Sequence, residues 1–121
     1  MCKIVSFNVG GRTIKAADIK KDYIVNAANI AKDCAAIDKV ILFGSSASEN
    51  CTDRSDIDLA VFGTLSESTM LRSKSYKNFV RELFKYDFNQ NYDVLYFDST
   101  KANNSPILED INNGVVLYEK A

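Results

Sequence analysis

The chain has 121 residues, enough for one domain with a substantial core and too few for two. Zero histidines exclude Ser-His-Asp and Cys-His catalysis, His-ligated zinc and imidazole general bases, leaving carboxylates, Lys, Tyr and metal-bound oxygens for any chemistry. A net charge of -1, from 15 Lys+Arg against 16 Asp+Glu, gives no global electrostatic reason to expect a nucleic-acid binder. No apolar run approaches the ~20 residues that cross a bilayer, so no membrane partner is expected. Met1-Cys2-Lys3-Ile4 lacks the apolar core and small-residue cleavage site of a signal peptide, and a cytoplasmic protein is expected. Cys2, Cys34 and Cys51 are odd in number and widely spaced, which favours buried or incidental free thiols over a disulfide framework.

In chain order, Lys3 to Val9 alternates polar and apolar side chains. Gly10-Gly11 then supplies the positive φ of a two-residue hairpin turn before Arg12-Thr13-Ile14, predicting an N-terminal hairpin over about residues 1–15. From about Ala16 to Cys34, Ile19, Tyr23, Ala27, Ile30 and Cys34 recur at helical spacing, widened by Ile24 and Ala31. Lys20, Lys21 and Lys32 are read as the solvated face of that helix. Val40 to Phe43 and Ile57 to Phe62 read as short buried strands, with a polar loop between them that begins Gly44-Ser45 and ends Ser55-Asp56.

Gly63 to Ser68 is a turn-rich break, after which one helix is predicted from about Thr69 to Asp87. Its buried stripe is Leu71, Tyr76, Phe79, Val80, Leu83 and Phe84. The run NYDVLYFD alternates again, with Tyr92, Val94 and Tyr96 on one face and Asp93, Leu95 and Phe97 on the other. Ser105-Pro106 opens a last helix as N-cap and first helical residue, the helix closes near Gly114, and Val115 to Tyr118 makes a terminal strand or packing segment. The expected fold is a single α/β unit over 1–121, a mixed sheet with helices packed on it and the hairpin as an addition to a core from residue 16.

The carboxylates carry the chemical signal. Strand alternation sends Ile57, Leu59 and Val61 to one face and Asp56, Asp58 and Ala60 to the other, so two like charges emerge side by side. Asp93 is a third carboxylate inside an otherwise apolar strand. Unpaired charges in such places cost several kcal/mol by rough estimate, so either Arg54, Lys39 or a helical lysine neutralises them, or a divalent cation does. The cation is the favoured reading. An EF-hand is excluded, because Asp53-Arg54-Ser55-Asp56-Ile57-Asp58 lacks the ligand alternation, the central Gly and the terminal Glu.

Gly44-Ser45, ten residues, then Asp56-Ile57-Asp58 resembles the GS-x10-DxD signature of the DNA polymerase β-like nucleotidyltransferase superfamily, and within it the minimal nucleotidyltransferase (MNT) family. The likeness runs from about Tyr23 through Val116-Leu117-Tyr118-Glu119 and includes ILFGS, SDIDLAVF and the Asp93 strand. It implies a polymerase β palm-like fold. It also implies nucleoside triphosphate, ATP above all, held by Gly44, Ser45, Ser46 and Arg54, with a pair of Mg²⁺ ions bound by Asp56, Asp58 and Asp93 as the catalytic carboxylates. Where relatives commonly show Gly-Ser-Arg-Ala-Arg-Gly, this chain has Gly44-Ser45-Ser46-Ala47-Ser48-Glu49, and Arg54 or Lys39 is the expected replacement for the missing positive charge.

The resemblance further implies transfer of AMP to a hydroxyl, that of a tyrosine on a HEPN-domain toxin to which a small protein of this kind is the antitoxin. A non-catalytic nucleotide- or partner-binding module is the competing reading. Homo- and hetero-oligomers both remain open.

Overall fold

A computed structural model describes residues 2–102 and 105–120, so Met1 and Ala121, the ends of the expected unit, lie outside the described residues. The chain opens with two antiparallel strands, β1 (Ile4–Val9) and β2 (Arg12–Ala17). Val9 pairs with Arg12 across Gly10 and Gly11, whose φ values of 54° and 83° give the two-residue turn its positive dihedrals. A 3-10 turn (Asp18–Lys20) leads into helix α1 (Lys21–Lys32). There follow β3 (Lys39–Phe43), a second 3-10 turn (Ser45–Ala47), β4 (Ile57–Gly63), α2 (Glu67–Arg72), α3 (Lys74–Tyr86), β5 (Tyr92–Asp98), α4 (Ile107–Asn112) and β6 (Val115–Glu119).

β3 to β6 form one sheet in the order β5-β4-β3-β6. β3 runs antiparallel to β4 and β6, while β4 and β5 are parallel, the pairing that needs a crossover connection, here supplied by α2 and α3. Mixed pairing with helices packed on the sheet is the expected fold class.

The strand alternation read from the sequence sorts side chains into two cores. Ile57, Leu59 and Val61 of β4 and Val40 and Leu42 of β3 pack with Ile24, Ala27 and Ala31 of α1 and Phe79 and Leu83 of α3. Phe7, Val9, Ile14 and Ala16 of the hairpin join the same cluster, so the hairpin closes the main core and is no mere appendage. On the opposite face Ile41, Phe43 and Ala60 pack with Ile111 of α4, joined by Leu95 and Phe97. The two faces explain why β3 is apolar almost throughout.

Several expectations need correction. The first helix begins at Lys21, because Ala16 and Ala17 are still paired in the hairpin, and Ile19 is exposed outside the buried stripe. Lys20, expected in solvent, is 1% exposed. The long second helix is broken in two at Ser73, whose hydroxyl accepts from Tyr76 N at 3.2 Å and so caps α3, while the Ser66 hydroxyl caps α2 by accepting from Thr69 N. The break turns Leu71 outward, 45% exposed, and α3 alone carries the buried Tyr76, Phe79 and Leu83.

The last helix starts one residue later than expected, with Pro106 itself as the helical-φ N-cap. The cysteines are not all free: Cys2 and Cys51 form a disulfide, and Cys34 is the free, buried thiol. The hairpin returns residue 2 to the polar loop, where Cys2 N donates to Glu49 O at 2.9 Å, a proximity that sequence spacing does not encode.

Candidate active site

Gly44 leaves β3 where Phe43 lies opposite Asp58 of β4, and Asp58 in turn lies opposite Asp93 of β5. Neighbouring strands sit about 4.8 Å apart, and register partners on parallel strands project to the same face, so Asp58 and Asp93 are adjacent carboxylates at the start of their strands. Asp56 is two residues ahead of Asp58, just outside β4. Asp58 is half-buried, while Asp56 and Asp93 are exposed. Burial pushes the Asp58 carboxyl above the ordinary carboxylate range, and the negative charges of Asp93 and then Asp56 push it further. Asp58 thus lies within electrostatic reach of both Asp93 and Asp56.

The Gly-Ser turn is fitted against this row. Gly44 has φ 76° and ψ -158°, a conformation essentially confined to glycine, and a Cβ there would run into Asp58 Oδ2. The turn's bare backbone therefore rests directly on the Asp58 carboxylate. Ser45 is half-buried at the start of the 3-10 turn, and its carbonyl accepts from Ser48 N and Ser48 Oγ. Ser46 is fully buried and donates its hydroxyl to Asp56 O at 2.8 Å, a tether between the turn and the acidic segment. Glu49 and Arg54 both face solvent.

Lys39 cannot supply positive charge here. It lies opposite Phe62 at the other end of β3 and pairs with Glu119 at 3.7 Å. Among the described residues no ion pair reaches Asp56, Asp58 or Asp93; the ion pairs join Arg12 and Lys39 to Glu119 and Lys120 to Asp38. The structural alternative, neutralisation of the acidic row by Arg54, Lys39 or a helical lysine, therefore finds no direct contact.

The cation that does approach the row is one that the sequence reading assigned to solvent. The Lys20 ammonium donates to Asp53 O at 3.1 Å and to Gln90 Oε1 at 2.6 Å. Burial pulls its pKa below the usual lysine value, opposed by the charges of Asp53 and Asp56. Its position was detectable: Lys20, Ile24, Ala27 and Ala31 fall on one helical face at spacings of four, three and four. Gln90, which completes the contact, carried no comparable signal.

The donor chemistry suits a hard divalent cation. Every candidate ligand is a carboxylate oxygen, one carboxyl is electrostatically strained, and none is consumed by an ion pair. Among the described residues no group of three or more Asp, Glu, Cys or His side chains stands ready to enclose an ion. The donors are thus set in a row by strand register, not closed around a point. No helix among the described residues is long and apolar enough to cross a membrane. Comparison with curated proteins gives no match. Residues 26–121, which begin inside α1 and take in the Gly-Ser turn, the acidic row and the whole four-stranded sheet, match the family described as polymerase beta, nucleotidyltransferase, and the chain belongs to that family.

Proposed function

We propose that this chain is a Mg²⁺-dependent nucleotidyltransferase of the minimal (MNT) type, moving AMP from ATP to a hydroxyl acceptor. The observation that carries the reading is the row Gly44, Asp58, Asp93. A glycine-only turn lies against one carboxylate, and a second carboxylate stands beside it in strand register. Gly44 and the following turn would approach the triphosphate through backbone amides and the Ser45 hydroxyl, with Arg54 at the solvent side of the same loop. Asp56 and Asp58 would hold Mg²⁺, joined by Asp93 on the acceptor side.

Bound there, Mg²⁺ would neutralise charge on the entering and leaving oxygens of an in-line displacement. In that displacement a bond forms from the acceptor oxygen to the α-phosphorus, the bond from that phosphorus to the pyrophosphate oxygen breaks, and pyrophosphate leaves. Asp93, exposed to solvent, orients the acceptor hydroxyl and receives its proton. Ser46 keeps the turn at a fixed distance from Asp56, and no imidazole is required.

The acceptor we favour is a tyrosine on a HEPN-domain toxin, with this chain as the antitoxin, as the resemblance to the MNT family implies. A thermal-shift panel of nucleoside triphosphates with and without Mg²⁺ tests the site. Stabilisation that needs both ligands is expected, of about 2.7 kcal/mol at 100 times the dissociation constant. Absence of any response to every triphosphate with Mg²⁺ would sink the reading. Mass spectrometry of a co-expressed neighbouring protein, searched for AMP on tyrosine, tests the acceptor.

A second reading, a binding module without transfer chemistry, is favoured by the open arrangement of the three acidic side chains. Asp58→Ala separates the two. Loss of partner inhibition with the complex intact supports transfer, and undiminished inhibition supports binding alone.

A further inference from the structure

An ammonium buried to 1% exposure is costly, by several kcal/mol in rough terms unless its hydrogen bonds are met, and a methionine of similar length would fill the same space without that cost. What Lys20 holds in return is specific. It donates to Asp53 O, three residues ahead of Asp56, and to the side-chain oxygen of Gln90, itself 5% exposed in the connection between α3 and β5. The other end of that amide donates to Ser55 O at 3.1 Å and to Asn91 O at 2.7 Å. Asn91 O also accepts from Ile57 N at 3.0 Å. A single buried cation and amide thus clasp both segments that lead into the acidic row, one ending at Asp56 and Asp58, the other at Asp93.

The clasp has a second property. Lys20 feels the charges of Asp53 and Asp56 yet forms no ion pair with any of the three carboxylates, so their oxygens are left open. Groups that orient metal ligands from behind, without touching the metal, have this arrangement.

We propose that Lys20 and Gln90 are the positioning residues of the acidic centre: their hydrogen bonds to Asp53, Ser55 and Asn91 set the relative placement of the segments bearing Asp56, Asp58 and Asp93. The inference rests on the nucleotidyltransferase reading of those carboxylates. The test compares Lys20→Met and Gln90→Leu with Leu83→Ala, a core truncation in α3 that removes stability but none of the clasp's hydrogen bonds.

In each, the Mg²⁺ concentration that half-saturates ATP binding is measured by calorimetry well below the melting temperature. The clasp variants are expected to need about 10-fold more Mg²⁺ or greater, in line with the loss of groups that orient metal ligands, while Leu83→Ala keeps the wild-type midpoint. An unchanged midpoint in both clasp variants, or an equal shift in Leu83→Ala, overturns the proposal. Gln90→Leu keeps it testable should Lys20→Met fail to fold. If wild type itself shows no Mg²⁺-dependent ATP binding, the enzymatic reading fails separately, and amide exchange decides the clasp. Exchange at Ile57 and Asp93 that accelerates beyond that of the β1–β2 hairpin supports it, and uniform acceleration overturns it.

Discussion

Asp58 and Asp93 are direct register partners on parallel strands, two carboxylates side by side with no cation in contact among the described residues. Because the Asp58 carboxyl titrates above its ordinary value in the folded chain, the native state keeps that proton to higher pH than the unfolded chain does. The native state therefore loses stability as pH rises from the unfolded value through the folded one, and keeps it in acid. Asp58→Asn should melt with wild type below about pH 4 and melt higher than wild type at neutral pH in the absence of ligand. Thermal melts across that range check the sign, and a variant less stable than wild type at neutral pH contradicts it. Under the proposed function, Mg²⁺ and ATP should invert the order, since Asp58→Asn removes one of the carboxylates proposed to hold the ion.

Gly44→Ala should be costly on two counts. The backbone conformation alone costs about 1–3 kcal/mol for a residue with a side chain, and the new methyl group meets Asp58 Oδ2. Gly10→Ala is a control at positive φ with open space around the added carbon. Urea titrations should show the larger loss at Gly44, together with loss of the Mg²⁺-dependent ATP response, whereas Gly10→Ala should retain that response. Equal losses at the two positions would mean that the turn does not press on the carboxylate.

Reduction should destabilise the protein. The Cys2–Cys51 bond closes a span of 49 residues, and removing such a constraint costs about 2–4 kcal/mol. Denaturation midpoints with and without dithiothreitol measure this. Cys51→Ser should reproduce the reduced midpoint and be insensitive to reductant, whereas Cys34→Ser should remain sensitive, since Cys34 is the free thiol.

Ser73→Ala should lower stability by about 1 kcal/mol, the usual worth of an N-cap, because it removes the acceptor for Tyr76 N and the donor to Met70 O together. Ser73→Asp should recover most of the loss, since a carboxylate also accepts at that position. Chemical denaturation of the three proteins suffices to check it.

What the sequence revealed follows physical periodicity. The alternation of Ile57, Leu59 and Val61 against Asp58 and Ala60 survives in the structure because a pleated strand in a two-sided sheet leaves no freedom about which face a residue takes. Gly10-Gly11 was legible for the same kind of reason, a turn whose dihedrals only a few residues tolerate. The break at Ser73 had two local marks, the capping hydroxyl and the step of five from Leu71 to Tyr76, which is not a spacing that keeps two residues on one helical face. A charge alone suggests solvent for Lys20, whereas its position on the stripe of Ile24, Ala27 and Ala31 argues for the burial it has. The pairing of Cys2 with Cys51 depends on how the hairpin folds back, a tertiary fact with no local trace.

The covalent tie at residue 2 has a practical consequence for handling the molecule. Anything joined ahead of Cys2, such as an affinity tag or a reporter, must leave the surface beside Glu49, in the same loop that carries Gly44 and Asp56. The same fusion placed after β6 would instead emerge beyond Glu119, which pairs with Lys39 at the end of β3 farthest from Asp58.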